Sequence, residues 1–396
     1  MSAIKTLKDN VNVFNKRVIL RSDLNVPIIN NEIQDSTRIK LCIPFLEELL
    51  EKGAKVFLVS HLGRPTSSGD KNYSLEPIFK YIKSNIKNNI YFYTDKIDNK
   101  TKEKISFLKK GEIILFENIR FNDGEIKNDE RFAKNLSSIG DIYINDAFSC
   151  SHRKQASIHK ITEYVKESYG GPSLIKELNS LDLIINNKRK PVTCIIGGSK
   201  VSTKIGVIIS LIQKVNNLII VGAMANNFIK YKGLKFGKSL IEKNSEEVIS
   251  KIYKQLKNSD CKIILPNDFI VSDNINGEPI AKAQENIEDG DMILDIGIET
   301  LKKIHLTINN SKTVLWNGPA GYFENKQFAK GTISIAEMIT KNTTNKSLTS
   351  IVGGGDTISA IKNSGLNANF THLSTAGGAF LEYIEGKNLP GIEVLK

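Results

Sequence analysis

The sequence predicts an α/β protein with two parallel sheets of roughly six strands each, flanked by helices. Three observations carry this. Short β-rich runs alternate with helical patterns along nearly the whole chain, the order that builds parallel sheets covered by helices. Several runs are continuous in Val, Ile and Leu, as strands buried on both faces are. The runs number about eleven, too many for one ordinary doubly wound sheet and more than the eight of a (β/α)8 barrel.

Taken in order, the first expected strand is RVILRSDL (17–24). It leads into the helix STRIKLCIPFLEELLEKG (36–53), with Ser36 placed as N-cap and Gly53 as a stop. KVFLVSHL (55–62), IYFY (90–93), EIILFEN (112–118) and DIYINDAF (141–148) complete the first series. YGGPSLIKELNSLDLIINNKRK (169–190) then supplies Gly-Gly-Pro, an amphipathic helix and a basic connector. It is the expected hinge helix, dividing a domain at 1–170 from one at 171–380. The second series is PVTCIIGG (191–198), LIIVGAM (218–224), KIILPNDFIV (262–271), MILDIG (292–297), TVLWNG (313–318) and TSIVGG (349–354). A chain of 396 residues suits two to three domains.

The chain is 40% hydrophobic and 25% charged, an ordinary globular balance. No run approaches the roughly 20 apolar residues of a membrane span, and MSAIKTLKDN lacks the apolar segment of a secretory signal. Cys42, Cys150, Cys194 and Cys261 are scattered without a C-x-x-C. That argues against a zinc site or a disulfide framework and for a reducing, cytoplasmic setting. Lys and Arg exceed Asp and Glu by 12, which suits nucleic acid, a membrane surface or a small anion. The lysines are mixed with acids, as in NSEEVISKIYKQLKN (244–258), and the densest basic runs carry no aromatic platform. Neither nucleic acid nor a membrane is the expected partner.

In open α/β sheets, ligands bind beyond the carboxyl ends of the strands. Residues following the first series are Arg21, Asp23 and Asn25 in RSDLNVP, His61 and Arg64 in SHLGRP, and Arg120 in ENIRF. Asp146, His152 and Arg153 follow in NDAFSCSHR, and Arg38 lies near the start of the first helix. Five arginines and two histidines thus gather at one sheet edge. Arginine forks match phosphate and carboxylate oxygens, so the first domain should bind a small, multiply anionic molecule.

The second series ends in glycine instead: GGSK (197–200), VGAMANN (221–227), WNGPAGYFE (316–324), GGGDT (353–357) and STAGGA (374–379). Glycine admits close backbone approach, and a helix N-terminus offers N–H groups to phosphate. A helix starting after Gly197-Gly198 would put Lys200 and Lys204 on one face, where like charges repel unless an anion sits between them. Asp356 is the natural carboxylate for Mg²⁺, which takes one or two carboxylates plus substrate phosphates. GLKFGKS (233–239) has one residue too few for a P-loop, and no G-x-G-x-x-G is present. An ordinary P-loop NTPase and a dehydrogenase are both disfavoured.

RSDLNVP, SHLGRP, ENIRF, NDAFSCSHR, GGSKVSTKIG, LPNDFIV, WNGPAGYFE, GGGDT and STAGGAFLEYIEGKNLPG together resemble the phosphoglycerate kinase family, in its order and spacing. The resemblance implies two Rossmann-like domains joined by the hinge helix. The first would bind phosphoglycerate, with the tail 381–396 packing back on it, and the second would bind the nucleotide. It implies a monomer that moves a phosphoryl group reversibly and in line from 1,3-bisphosphoglycerate to Mg-ADP, giving 3-phosphoglycerate and ATP, with hinge closure. By the same resemblance Asp23, Leu24, Asn25, Arg38, His61, Leu62, Gly63, Arg64, Arg120 and Arg153 hold the glycerate substrate. Gly198, Lys204, Asn317, Glu324, Gly354, Gly355, Asp356 and Thr357 hold the nucleotide, with Glu324 on the ribose and Asp356 on Mg²⁺. Lys200 meets the phosphoryl group in flight, and Arg38, Lys200, Lys204, Gly377 and Gly378 stabilise its charge. His152 has two readings, an orienting group or a structural histidine. The chain departs from the family pattern at Ala223, Asn226-Asn227, Tyr322 and Ala376.

No general base stands out among these residues, and the chemistry needs none. The attacking group is a phosphate oxygen in one direction and a carboxylate in the other, both ionised at neutral pH.

Overall fold

The computed structural model describes residues 4–7, 11–67, 69–186 and 189–396. It divides into two compact units, Met1–Leu178 with Asn388–Lys396, and Asn179–Lys387.

The first unit is built on a six-stranded parallel sheet. Its strands are β1 (Arg17–Ser22), β2 (Lys55–Val59), β3 (Ile90–Tyr93), β4 (Ile113–Phe116), β5 (Ile142–Asp146) and β6 (Glu167–Gly170), in the order β3-β4-β2-β1-β5-β6. Val18 lies level with Val56 on one side and Ile142 on the other. Val18, Leu20, Val56, Leu58, Ile113 and Leu115 pack against Cys42, Phe45, Leu46 and Leu49 of the helix Thr37–Glu51. Ile19, Phe57, Ile114 and Tyr143, pointing the other way, are buried too. Both faces are therefore dry, which is why these strands are continuous apolar runs. Truncating Leu20 to Ala at this centre should cost about 2–5 kcal/mol.

Two local details differ from the sequence reading. Ser36 occupies the N-cap of the first helix but makes no side-chain cap bond. Asp35 caps it instead, its Oδ1 accepting from Thr37 N at 3.0 Å and from Thr37 Oγ1 at 2.6 Å, because an Asx turn reaches the first free N–H as well as an N-cap serine does. Strand β6, sequence ESYG, carries no apolar pattern and was not expected.

The second unit holds another six-stranded parallel sheet. In chain order its elements are β7 (Val192–Ile196), β8 (Asn217–Ile220), β9 (Lys262–Ile264), β10 (Asp268–Ser272), β11 (Ile280–Ala283), β12 (Met292–Ile296), β13 (Thr313–Asn317), β14 (Thr349–Gly353) and β15 (His372–Ser374). The parallel sheet runs β9-β8-β7-β13-β14-β15, and β11-β10-β12 form a separate antiparallel sheet. The expected strand at 262–271 is two strands in two sheets. Pro266 lies between them and has no N–H to give a ladder. The run at 292–297 is a strand, but in the antiparallel sheet; three-residue β15 takes the sixth place in the parallel one.

The unit boundary falls inside the helix Pro172–Ile185, between Leu178 and Asn179, where the expected division stood at 170/171. The helix start belongs to the first unit because the end of β5 holds it. Asp146 Oδ1 accepts from Ser173 N at 2.6 Å and Leu174 N at 3.2 Å. The basic connector begins at residues 187 and 188, outside the described residues. Residues 388–396 lie on the first unit, with Gly391 N donating to Ser151 O at 2.9 Å and Asn145 Nδ2 donating to Gly391 O at 3.2 Å. Residues 381–387 remain with the second unit, 381–385 in the helix Gly378–Glu385 and Gly386 as its C-cap. No helix among the described residues is long and apolar enough to cross a membrane.

Candidate functional site

In the first unit, the loops after β1, β2 and β5 and the start of the first helix meet at one edge. Arg38 Nη1 lies 2.9 Å from Asp23 Oδ2 and donates to Asn25 O at 2.8 Å. Asp23 also accepts from Ser149 Oγ in the loop after β5. Asn25 Oδ1 accepts from Gly63 N at 2.8 Å, and Arg120 Nη1 donates to Gly63 O. Gly63 has φ +54° and its missing Cβ would stand 2.2 Å from the Tyr73 ring, so only glycine fits there. Leu24 and Leu62 are buried and act as packing under these loops.

His61 is buried, with Nδ1 3.2 Å from Arg21 Nη2. Burial, and then the charges of Arg21, Arg120, Arg38 and Arg153, hold its pKa well below 6.5. The imidazole is thus neutral at pH 7, and four arginines share its surroundings. Arg21 is itself fully buried and braced by Ser157 Oγ at 3.0 Å. Ser157 also donates to the buried Glu125 at 2.6 Å. Arg120 Nε is buried without a hydrogen-bond partner, an open donor of the kind a bound anion satisfies. Arg153 is half-buried beside His152, while Arg64 is exposed. Asp146 does not join this group; it serves as the helix cap described above.

In the second unit, Gly197-Gly198 follow β7, and Gly318 follows Asn317 at the end of β13. The two backbones touch, and a Cβ on Gly197 would stand 2.2 Å from Pro319 O. Lys204 Nζ donates to Gly197 O at 2.7 Å and Asn317 Oδ1 at 2.9 Å. Burial lowers its pKa to about 8. Thr357 Oγ1 accepts from Gly318 N at 2.7 Å, tying β13 to the helix Gly355–Asn363. Gly354 precedes that helix with φ +101°, a conformation that side chains avoid. Gly377 and Gly378 are exposed at the start of the helix Gly378–Glu385.

Lys200 and Lys204 do not share a helix face. The helix begins at Ile205, after a short 3₁₀ turn Ser202–Lys204, and Lys200 lies exposed in the loop before it. The expected like-charge penalty is relieved by loop geometry rather than by a ligand alone.

A cavity of about 450 Å³ opens beside these glycines. Gly198, Glu324 and Asp356 stand on its polar part, and Leu240, Pro266, Phe269, Met292, Leu294 and Phe323 on its apolar part. These six apolar residues come from four separated segments, and sequence reasoning missed them. Phe269, Met292 and Leu294 lie on the short antiparallel strands, where apolar residues are a weak signal, and nothing local marks Leu240, Pro266 or Phe323. Tyr322 lines the same cavity and donates its N–H to Leu294 O at 2.7 Å. Ala223 lines it as well, and Ala376 is buried away from it.

The family model for phosphoglycerate kinase matches residues 8–387. The chain belongs to the phosphoglycerate kinase family. Membership carries the family's activity, that of a glycolytic phosphotransferase with a carboxyl group as acceptor. The chain is 43% identical over 390 residues to the phosphoglycerate kinase of Wolbachia sp. subsp. Drosophila simulans (strain wRi), covering 98% of each protein. It is 42% identical over 396 residues to that of Borreliella afzelii (strain PKo), covering 100% of both. Its fold is similar to the solved structure of phosphoglycerate kinase from Coxiella burnetii, with a TM-score of 0.89, 36% identity and 99% of each chain covered. Phosphoglycerate kinase from Pyrococcus horikoshii OT3 gives a TM-score of 0.82 at 28% identity, with 99% of this chain and 98% of that chain covered.

Proposed function

We propose that the arginine-rich edge of the first unit binds 3-phosphoglycerate and 1,3-bisphosphoglycerate, and that the cavity of the second unit binds the Mg-nucleotide. The observation that supports this most is the make-up of that cavity. An apolar floor suits a base, and Glu324 suits a ribose. Glycine-lined strand ends with the desolvated Lys204 suit phosphates.

Arg38, Arg120 and Arg153 then hold the carboxylate and phosphate of the glycerate, with Asp23, Asn25 and Gly63 fixing the loops that carry them. Arg64 reaches the same ligand from solvent. Neutral His61 adds a hydrogen bond without changing charge across the working pH range. Gly354, Gly355 and Thr357 shape the phosphate loop, and Asn317 holds Lys204 in place. Asp356, exposed in the first turn of its helix, would hold Mg²⁺ through one carboxylate. Among the described residues no cluster of three or more His, Cys, Asp or Glu is placed to cage a metal, which suits an ion that takes its other ligands from phosphates and water. When bound, the ion neutralises phosphate charge.

Transfer is in line and needs no base. Arg38, Lys200, Lys204 and the N–H groups of Gly377 and Gly378 stabilise charge on the equatorial oxygens. The reacting oxygens must come within about 3–3.5 Å, so the proposal includes closure about the hinge helix when both substrates are bound, excluding water. The protein acts as a cytoplasmic monomer. A coupled assay of ADP formation from ATP and 3-phosphoglycerate tests the reaction. Small-angle scattering with both ligands tests closure; unchanged dimensions would refute it.

A further inference from the structure

Residues 237–245 form a strap that is pinned at both ends and exposed in the middle. At the first end Gly237 bridges to Met292, Lys238 N donates to Asp291 O at 2.8 Å, and Ser239 Oγ accepts from Ile293 N at 2.8 Å. At the second end the buried Asn227 accepts from Glu242 N at 2.7 Å and from Ser245 Oγ at 3.1 Å. Between them Asn226 Nδ2 donates to Leu240 O at 3.1 Å. The Asn226-Asn227 pair, a departure without a role in the sequence, is therefore what seats the strap.

Two side chains project from it in different directions. Leu240 lines the apolar part of the cavity and is 60% exposed at its mouth. Two residues later, Glu242 reaches the loop between Lys200 and Lys204. Its Oε2 accepts from Ser202 N at 2.9 Å, and its Oε1 accepts from Ser202 Oγ. Ser202 N–H belongs to the turn that aims Lys204.

We propose that Glu242 and Leu240 are positioning residues that couple seating of the nucleotide base to placement of the two phosphate-binding lysines. This rests on the reading that the cavity takes the base and that Lys200 and Lys204 take the phosphates. A base pressing on Leu240 fixes a strap that cannot shift at Gly237 or at Asn227. The carboxylate of Glu242 carries that fix to Ser202. A loop held in this way loses less freedom when the phosphoryl group is in flight, so the coupling acts on turnover and not on binding alone.

The test is a double-mutant cycle of Leu240→Ala and Glu242→Ala, measuring kcat and the KM for ATP and for 3-phosphoglycerate, with thermal melting to establish folding. Each single variant should lower kcat by about 5-fold or more, and the double variant should be no slower than the slower single, the signature of one shared path. The KM for 3-phosphoglycerate should stay within about 2-fold. Glu242→Gln, whose amide oxygen still accepts from Ser202, should keep most of the activity. Ser202→Ala, which leaves Glu242 in place, serves as the second variant if Glu242→Ala does not fold, and should lower kcat in the same direction. Effects on kcat that multiply would overturn the coupling, and so would a Leu240→Ala variant that raises only the KM for ATP; in both cases the base site itself stands. A Leu240→Ala variant unchanged in both kcat and ATP KM would overturn the coupling and the base-site reading together.

Discussion

Raising the pH from about 7 to about 9 should discharge Lys204 and take most of the enzyme's use of ATP with it. The lysine sits half-buried between Gly197 O and Asn317 Oδ1, two neutral oxygens, and burial brings its pKa down to about 8. On that value it is about nine-tenths charged at pH 7, half charged at pH 8 and about one-tenth charged at pH 9. Because kcat/KM reports the free enzyme, kcat/KM for ATP should be about tenfold lower at pH 9 than at pH 7. Nucleotide phosphates restore the charge, so ATP binding near pH 8 should take up close to half a proton. Calorimetry in two buffers of different ionisation enthalpy reads that uptake. Lys204→Arg cannot deprotonate in this range, so whatever rate it retains should lack the inflection. Lys204→Ala should lower kcat by at least about 10²-fold, the scale of one lost charge-stabilising donor. A flat kcat/KM profile between pH 7 and 9, the same inflection in Lys204→Arg, or an alanine variant within a few-fold of the parent would each refute the reasoning.

Arg38→Ala removes the cationic neighbour of Asp23 and should lower kcat/KM for 3-phosphoglycerate by at least about 10²-fold, while the ATP-induced shift in melting temperature persists; loss of that shift would mean the ligands are assigned to the wrong units. Gly197→Ala should cost about 3 kcal/mol or more of stability in denaturant titration, since its Cβ would stand 2.2 Å from Pro319 O. Gly290→Ala, with nothing within 4 Å of its Cβ, should stay within about 0.5 kcal/mol. Asp146 is buried with its pKa raised from 3.8 to about 6, burial being the main cause. A raised folded pKa means that its contribution is fully present below pH 3.8 and is lost as pH rises through about 6. Asp146→Asn keeps the capping oxygen and cannot ionise. Its stability relative to the parent should therefore improve between pH 4 and pH 7, by up to about 3 kcal/mol for a shift of this size; an unchanged difference at the two pH values would show that burial does not raise the folded-state pKa of this carboxyl.

What the sequence made legible, and what it hid, follows from how far each feature depends on its neighbours. The central strands β1, β2, β7 and β13 announce themselves because burial on both faces demands unbroken apolar residues, a property of the segment alone. Edge strands such as β6 and β15 do not, since ESYG and HLS become strands only by pairing with β5 and β14. MILDIG shows the same limit from the other side: its composition says strand, but only the Pro266 break upstream and the hairpin at β10–β11 put it in the antiparallel sheet. The site divides in the same way. Glycines and charges at strand ends are conspicuous because the backbone and the ligand constrain them directly, so Gly197, Lys204, Arg38 and Asp356 could be singled out. Leu240, Met292 and Phe323 look like core residues, and nothing local marks the cavity they enclose. Asn226 and Asn227 are the sharpest case. Read along the chain they are two polar residues in the first half of a helix. Their purpose lies in Leu240 and Glu242, some 14 and 15 residues away. Substitutions at such seats should therefore be judged by what happens to the strap rather than by what happens to the helix.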